Sequence, residues 1–179
     1  MAWLVSIHTG ASGFLLVLAA PTMVLAAGAA GYSAFLFGQA EGRDFWQSPI
    51  LLPHLLVAAV MAGAATLLIV SVFVPSDVRA LNMLSFLVMA SPLFEATLLF
   101  AELRGSHGNV DVARAVRLIT RGSLRGRFWY GVVVAGIVLP FIMFWAGGLW
   151  SVLGACLALA GLWIYEDAWV KAGQSIPLS

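Results

Sequence analysis

Five stretches of this chain are long enough and apolar enough to cross a lipid bilayer as helices. They cover about residues 11–38, 49–74, 77–103, 128–146 and 149–171. Each exceeds the ~17 residues a helix needs to span the hydrocarbon layer. None shows the apolar–polar alternation of a barrel strand. Only 9% of the residues are charged and 62% are hydrophobic, against about 25% charged in a soluble domain. Such a chain cannot cover a globular surface with water-compatible groups, so lipid is its solvent. The expected fold is all-α: a polytopic transmembrane helix bundle of about five spans, forming one membrane domain over 1–179 with a basic loop at 104–127. Pro21, Pro92 and Pro140 lie inside spans, so several helices are expected to be kinked; membrane helices tolerate this because neighbours or water satisfy the freed carbonyl. Pro53 falls in the first turn of the second span, where its missing N–H costs little.

Several classes are excluded on the same grounds. A net charge of +1 gives nucleic acid nothing to bind. A single cysteine, Cys156, rules out an internal disulfide and any cysteine-held iron–sulfur cluster on this chain. Met1 to Ser12 contains no Lys or Arg, unlike the basic start of a secretory signal, so the first helix is expected to be a retained span. Runs such as Ala26-Ala27-Gly28-Ala29-Ala30-Gly31 and Ala62-Gly63-Ala64-Ala65 let helix backbones approach closely in lipid.

Loop charge sets the orientation. Between Arg104 and Arg127 there are six arginines and one acid, Asp111. The positive-inside rule places this segment in the cytoplasm. Alternation then places the loop around Arg43 and the C-terminal end with Lys171 on that side. The N-terminus, the Ser76–Arg79 turn and the Gly147-Gly148 turn fall on the other. One face thus holds most of the polar chemistry, and the other is little more than turns.

Ionisable groups inside the spans are the candidates for function, because a charge at the bilayer centre costs roughly 2.5–3.5 kcal/mol even on insertion scales. Glu95 and Glu102 stand seven residues apart on one face of the third helix. Glu102 is either an interfacial carboxylate paired with Arg104 or another loop arginine, or the outer member of a proton relay. Glu95, about 10 Å deeper and three residues after Pro92, is either the inner relay group or a protonated acid bonded between helices. Glu166 and Asp167 read as interfacial. His54, about one turn into the second helix, and Tyr32, about one and a half turns from the end of the first, are expected at similar depth. They are either an aromatic-belt residue and a satisfied interhelical histidine, or two polar contacts for a quinone head group, which requires apolar walls and a group able to move protons. His8 and His107 lie outside the spans, so His54 has no second histidine for a haem. No nucleotide or zinc motif is present. Phe45 and Trp46, in the first loop, read as interfacial anchors.

The loop run Phe45-Trp46-Gln47-Ser48-Pro49-Ile50-Leu51-Leu52-Pro53 resembles a motif of the NrfD-like family, the membrane subunits of polysulfide reductase and related molybdenum and iron–sulfur respiratory complexes. In the family's order, Tyr32-Ser33-Ala34-Phe35-Leu36 precedes it. Glu102 closing a helix, Gly122 to Trp129 leading into Gly136-Ile137-Val138-Leu139-Pro140, and the tail from Ala172 to Ser179 follow. The resemblance covers roughly residues 22–179 and rests on the order of the pieces, none of which is specific alone.

The resemblance implies a quinone-reactive anchor of a respiratory oxidoreductase in the inner (cytoplasmic) membrane. It would bind menaquinone or ubiquinone, hold no haem or iron–sulfur cluster itself, and exchange electrons with a ferredoxin-like iron–sulfur subunit joined to a molybdopterin catalytic subunit. Tyr32 matches the tyrosine with a quinone role in the family. His54 is added on spacing, and Trp46 on its place in the motif loop. Family members have eight or more spans and this chain aligns with the last five, so a further polypeptide supplying the missing N-terminal helices is among the expected partners. Two other classes stay open. One is a purely structural membrane anchor or assembly subunit. The other is a small proton-conducting or transport protein using Glu95 and Glu102, although no internal repeat of the transporter kind is visible.

Overall fold

In lipid every backbone N–H and C=O must find its partner within the protein, which leaves helices as the only open-ended way across. The computed structural model, which describes residues 10, 12–104 and 109–176, is built accordingly. Its helices are α1 (Ser12–Gly38), α2 (Leu51–Val70), α3 (Val78–Arg104), α4 (Val110–Thr120), α5 (Arg127–Ala146) and α6 (Leu149–Ser175). All but α4 are long and apolar enough to cross a membrane. No strand occurs among the described residues. His8, His107, the tail from Pro177 and most of the stretch before the first span lie outside them.

α2 and α6 form the centre of the bundle. α3 packs on α2, α5 packs on α6, and α1 lies at the periphery against α2. Leu16, Val24 and Leu25 of α1 stand exposed, an apolar surface suited to lipid. Two clusters make up the core. One, near the polar end, gathers Phe45, Leu51, Leu99, Phe128 and Trp169; the other, toward the blank end, gathers Met61, Leu68, Val88, Ala155 and Ala158.

The tightest contact is between α5 and α6. A Cβ added to Gly136 would stand 2.7 Å from the Gly161 Cα, so the two backbones touch and only glycine fits, the close approach that small residues permit in lipid. Over Arg127–Val138 the turns of α5 are widened to π-helical winding, and the N–H of Leu139 donates to the carbonyl of Val134, five residues back. Pro140 follows directly. Wide turns of this kind are rare and gather at functional sites.

The polar end is assembled from three separate pieces. A single 3₁₀ turn, Asp44–Gln47, caps it from the first loop. Arg43 Nη1 donates to the carbonyl of Gly173 at 2.6 Å, tying that loop to the end of α6. Asn109 donates its side-chain N–H to Asp44, and its side-chain Oδ1 accepts from the Asp111 N–H, capping the start of α4. The first loop, the basic segment and the end of α6 therefore share one end of the bundle, as charge and alternation predict. Within the basic segment α4 is amphipathic, with Ala115, Val116 and Ile119 buried and its arginines outward.

Candidate functional site

Two buried ionisable side chains meet between α2 and α3. His54 is 6% exposed and Glu95 4%. His54 Nδ1 lies 2.5 Å from Glu95 Oε2. The two side chains are in close contact, yet neither Glu95 oxygen, nor His54 Nε2, has an aligned hydrogen-bond partner among the described residues. Buried polar atoms almost always find one, which sets this trio apart from the rest of the core.

Tyr165 of α6 completes the group. Its ring lies 4.6 Å from the His54 ring, centre to centre. Its hydroxyl donates to Glu102 Oε2 at 3.3 Å. Glu102 thus meets a tyrosine, while Arg104 lies over the Phe100 ring, its guanidinium carbon 4.5 Å from the centre. Glu102, Tyr165, His54 and Glu95 form a continuous side-chain file from the polar end inward.

The file separates two spaces. The inner one, bounded by Glu95 with Pro92, Leu99 and Val132, has about 20 Å³ open to the centre of a water molecule, room for one water. The outer cleft, between α1, α2 and α6, has about 280 Å³ on the same measure and is walled by Ser33, Phe37, Leu51, Leu55 and Trp169, with Glu166 at its rim. That approaches the ~300 Å³ lower end of small-molecule sites. His54 and Tyr165 line both.

The remaining candidates are placed differently. Tyr32 is 60% exposed on α1 and lines neither space; its neighbour Ser33 and Phe37, one turn further on, line the cleft. Trp46 stands behind the cleft wall. Its ring meets Phe37 edge-on at 5.2 Å, stacks near Trp169 at 6.4 Å, and lies under the Arg43 guanidinium at 4.9 Å. Its indole N–H is buried without a partner among the described residues. A Cβ on Gly173 would collide with this indole, so glycine is required where α6 passes Trp46. Asp167 pairs with Arg127 and Lys171 at the surface. No group of three or more potential metal ligands gathers among the described residues.

Tyr165 and Trp169 are the site residues that sequence reasoning missed. A usable signal existed in the turns of the blank end. His54 lies sixteen residues before the end of α2 at Val70, and Glu95 seventeen after the start of α3 at Val78. Tyr165 lies sixteen after the start of α6 at Leu149. Counted from those turns, all three stand in one layer, about 24–26 Å up the bundle.

The family model described as "Polysulphide reductase, NrfD" matches residues 2–176. The C subunit of the polysulfide reductase of Wolinella succinogenes is 30% identical over 171 residues, covering 86% of this chain and 52% of that protein. The chain therefore spans about half the length of this curated relative. No solved structure matches.

Proposed function

The chain belongs to the NrfD polysulphide reductase family, and from that membership we propose that it serves as the quinone-reactive membrane anchor of a respiratory molybdenum and iron–sulfur oxidoreductase. In this reading it sits in the cytoplasmic membrane with its basic end inside. It exchanges electrons between menaquinone or ubiquinone and a ferredoxin-like iron–sulfur subunit, which in turn serves a molybdopterin catalytic subunit.

The observation that supports this best is the unpartnered, buried Nε2 of His54 on the wall of an aromatic-lined cleft, backed at Nδ1 by Glu95. A quinone head group needs flat apolar walls, which Phe37 and Trp169 offer, and a polar contact able to take or give a proton. When bound, a quinol supplies two electrons and two protons. His54 accepts a proton at Nε2, and the Glu95 carboxylate beside Nδ1 stabilises the imidazolium so formed. Tyr165 holds the imidazole ring in place. Its hydroxyl donates to Glu102, which sets a second carboxylate between the cleft and the polar end. In this reading Glu95 and Glu102 are the relay groups. Tyr32, on the outer face of α1, would contact the ring's substituents only from outside the cleft or through a further helix.

The test uses the full chain purified in mild detergent. Retained quinone is measured in the extracted lipid, and binding of a quinol analogue is followed by quenching of tryptophan fluorescence. Bound quinone with saturable quenching, both lost in His54→Ala, is the expected result. Absence of retained quinone together with absence of quenching would leave the purely structural anchor as the better account.

A further inference from the structure

The basic end carries a second concave feature that the quinone cleft does not use. α4 and the end of α6 enclose an open groove of about 550 Å³. Three arginines line it from α4, Arg114, Arg117 and Arg121, all with exposed side chains. Arg114 and Arg117, three residues apart, share one face of α4, and Arg121 caps its C-terminal end. Asp111 pairs with Arg114 at 2.9 Å, so two of the three guanidiniums are left to dominate the groove. The C-terminal carbonyls of α4 offset part of that charge but give it no full counter-ion. The floor is apolar, formed by Leu118 and Ile176.

The depth of the groove follows from an independent contact. Trp129, on the first turn of the span α5, donates its indole N–H to the carbonyl of Thr120 at 3.1 Å. Trp129 and Tyr130 are both exposed beside it. Tryptophan and tyrosine at the end of an apolar span mark the lipid headgroup level. The end of α4, with Arg117 and Arg121, is therefore at the height where phosphates lie.

We propose that this groove binds the phosphate headgroup of an anionic phospholipid. The shared chemistry is a phosphate oxygen held by forked guanidinium donors, a geometry arginine suits better than lysine. The open shape and the apolar floor favour a lipid over free phosphate: an open groove cannot enclose a small ion, but it can seat a glycerol and the start of an acyl chain on Leu118 and Ile176. Basic pockets beside the cytoplasmic ends of membrane helices hold such headgroups in general. The proposal does not rest on the quinone reading.

The experiment is native mass spectrometry of the full chain in detergent, with phosphatidylglycerol or phosphatidylcholine added, and separately with inorganic phosphate alone. Preferential retention of phosphatidylglycerol is expected, with no displacement by phosphate. The preference should fall by about fivefold for each arginine removed in Arg117→Gln and Arg121→Gln. It should be untouched in Arg79→Gln, which changes an exposed arginine at the other end of the bundle. Should the double variant fail to fold, a salt titration of the native chain replaces it, since an arginine–phosphate preference must weaken as salt rises. Equal retention of the two lipids, a preference insensitive to both variants and salt, or displacement by inorganic phosphate would each overturn the proposal.

Discussion

A double-mutant cycle on His54 and Glu95 tests the centre of the site without any assumption about function. At 2.5 Å, two full charges attract by about 7 kcal/mol at an effective dielectric near 20. Desolvation of both groups offsets much of that, because each side chain is 6–7% exposed and the net worth of a buried pair is small. Removal of one partner is another matter. In Glu95→Leu the imidazole, and in His54→Phe the carboxylate, is left among Met61, Leu99 and Val132, with space for a single water. We therefore expect about 2–4 kcal/mol of destabilisation for each single variant. The double variant, His54→Phe with Glu95→Leu, should recover most of the loss, giving a coupling of at least ~2 kcal/mol. Reversible unfolding by SDS titration in mixed micelles reads these values directly. Additive single variants, with a coupling below about 0.5 kcal/mol, would mean that the two side chains do not meet and that the layer built on them is wrong.

Four other substitutions probe the surroundings. Tyr165→Phe keeps the ring against His54 but loses the bond to Glu102; quinol oxidation by the assembled complex should slow by about tenfold to a hundredfold in kcat with KM little changed, and an unchanged kcat would remove Tyr165 from the proton path. Tyr32→Phe should also slow quinol oxidation if Tyr32 touches the ring, and unchanged kinetics would return it to the aromatic belt. Gly173→Ala drives a methyl into the Trp46 indole and should destabilise by about 1–3 kcal/mol, seen as a lower Tm; because Trp46 stacks on Trp169, quinol-analogue affinity should fall as well. Gly161→Val meets backbone, not a side chain that can turn away, so it should cost more than Gly173→Ala in the same Tm assay, and an equal or smaller loss would show that α5 and α6 separate easily.

The spans were legible because hydropathy over twenty residues is a strong, one-dimensional signal, and lipid removes every competing backbone solution. The five runs and the five long apolar helices correspond. That three segments share one end was legible from alternation of the spans, and the Arg43–Gly173 and Asn109–Asp44 contacts join them. α4 was not read as a helix. Its eleven residues carry several arginines and bury only Ala115, Val116 and Ile119, so its apolar stripe is too short to stand out beside spans of twenty residues and more. The wide winding of α5 left no trace either, since nothing in the composition of Arg127–Val138 sets it apart from an ordinary apolar helix.

The site was half legible, and the missing half shows what kind of counting a membrane bundle rewards. Counted from the polar face inward, Tyr32 and His54 fall at similar depth, and Glu95 lies about 10 Å deeper than Glu102. Tyr32 misses the cleft by direction and not by depth, since its neighbour Ser33 lines it with His54; the partner of Glu95 is hidden because the helices end at different heights there: α3 runs on to Arg104, so a residue two and a half turns from its end meets a residue one turn into α2. The turns at the blank end are short and keep neighbouring helices level, so distances counted from them are the reliable ones. On that scale His54, Glu95 and Tyr165 coincide within one residue. Depth alone still does not choose a face: Tyr130, sixteen residues before the end of α5, stands in the same layer yet points outward, 76% exposed. The direction comes from packing. His54, Glu95 and Tyr165 turn inward at the height where α2, α3 and α6 converge, so that polar groups from three helices meet one another there instead of lipid.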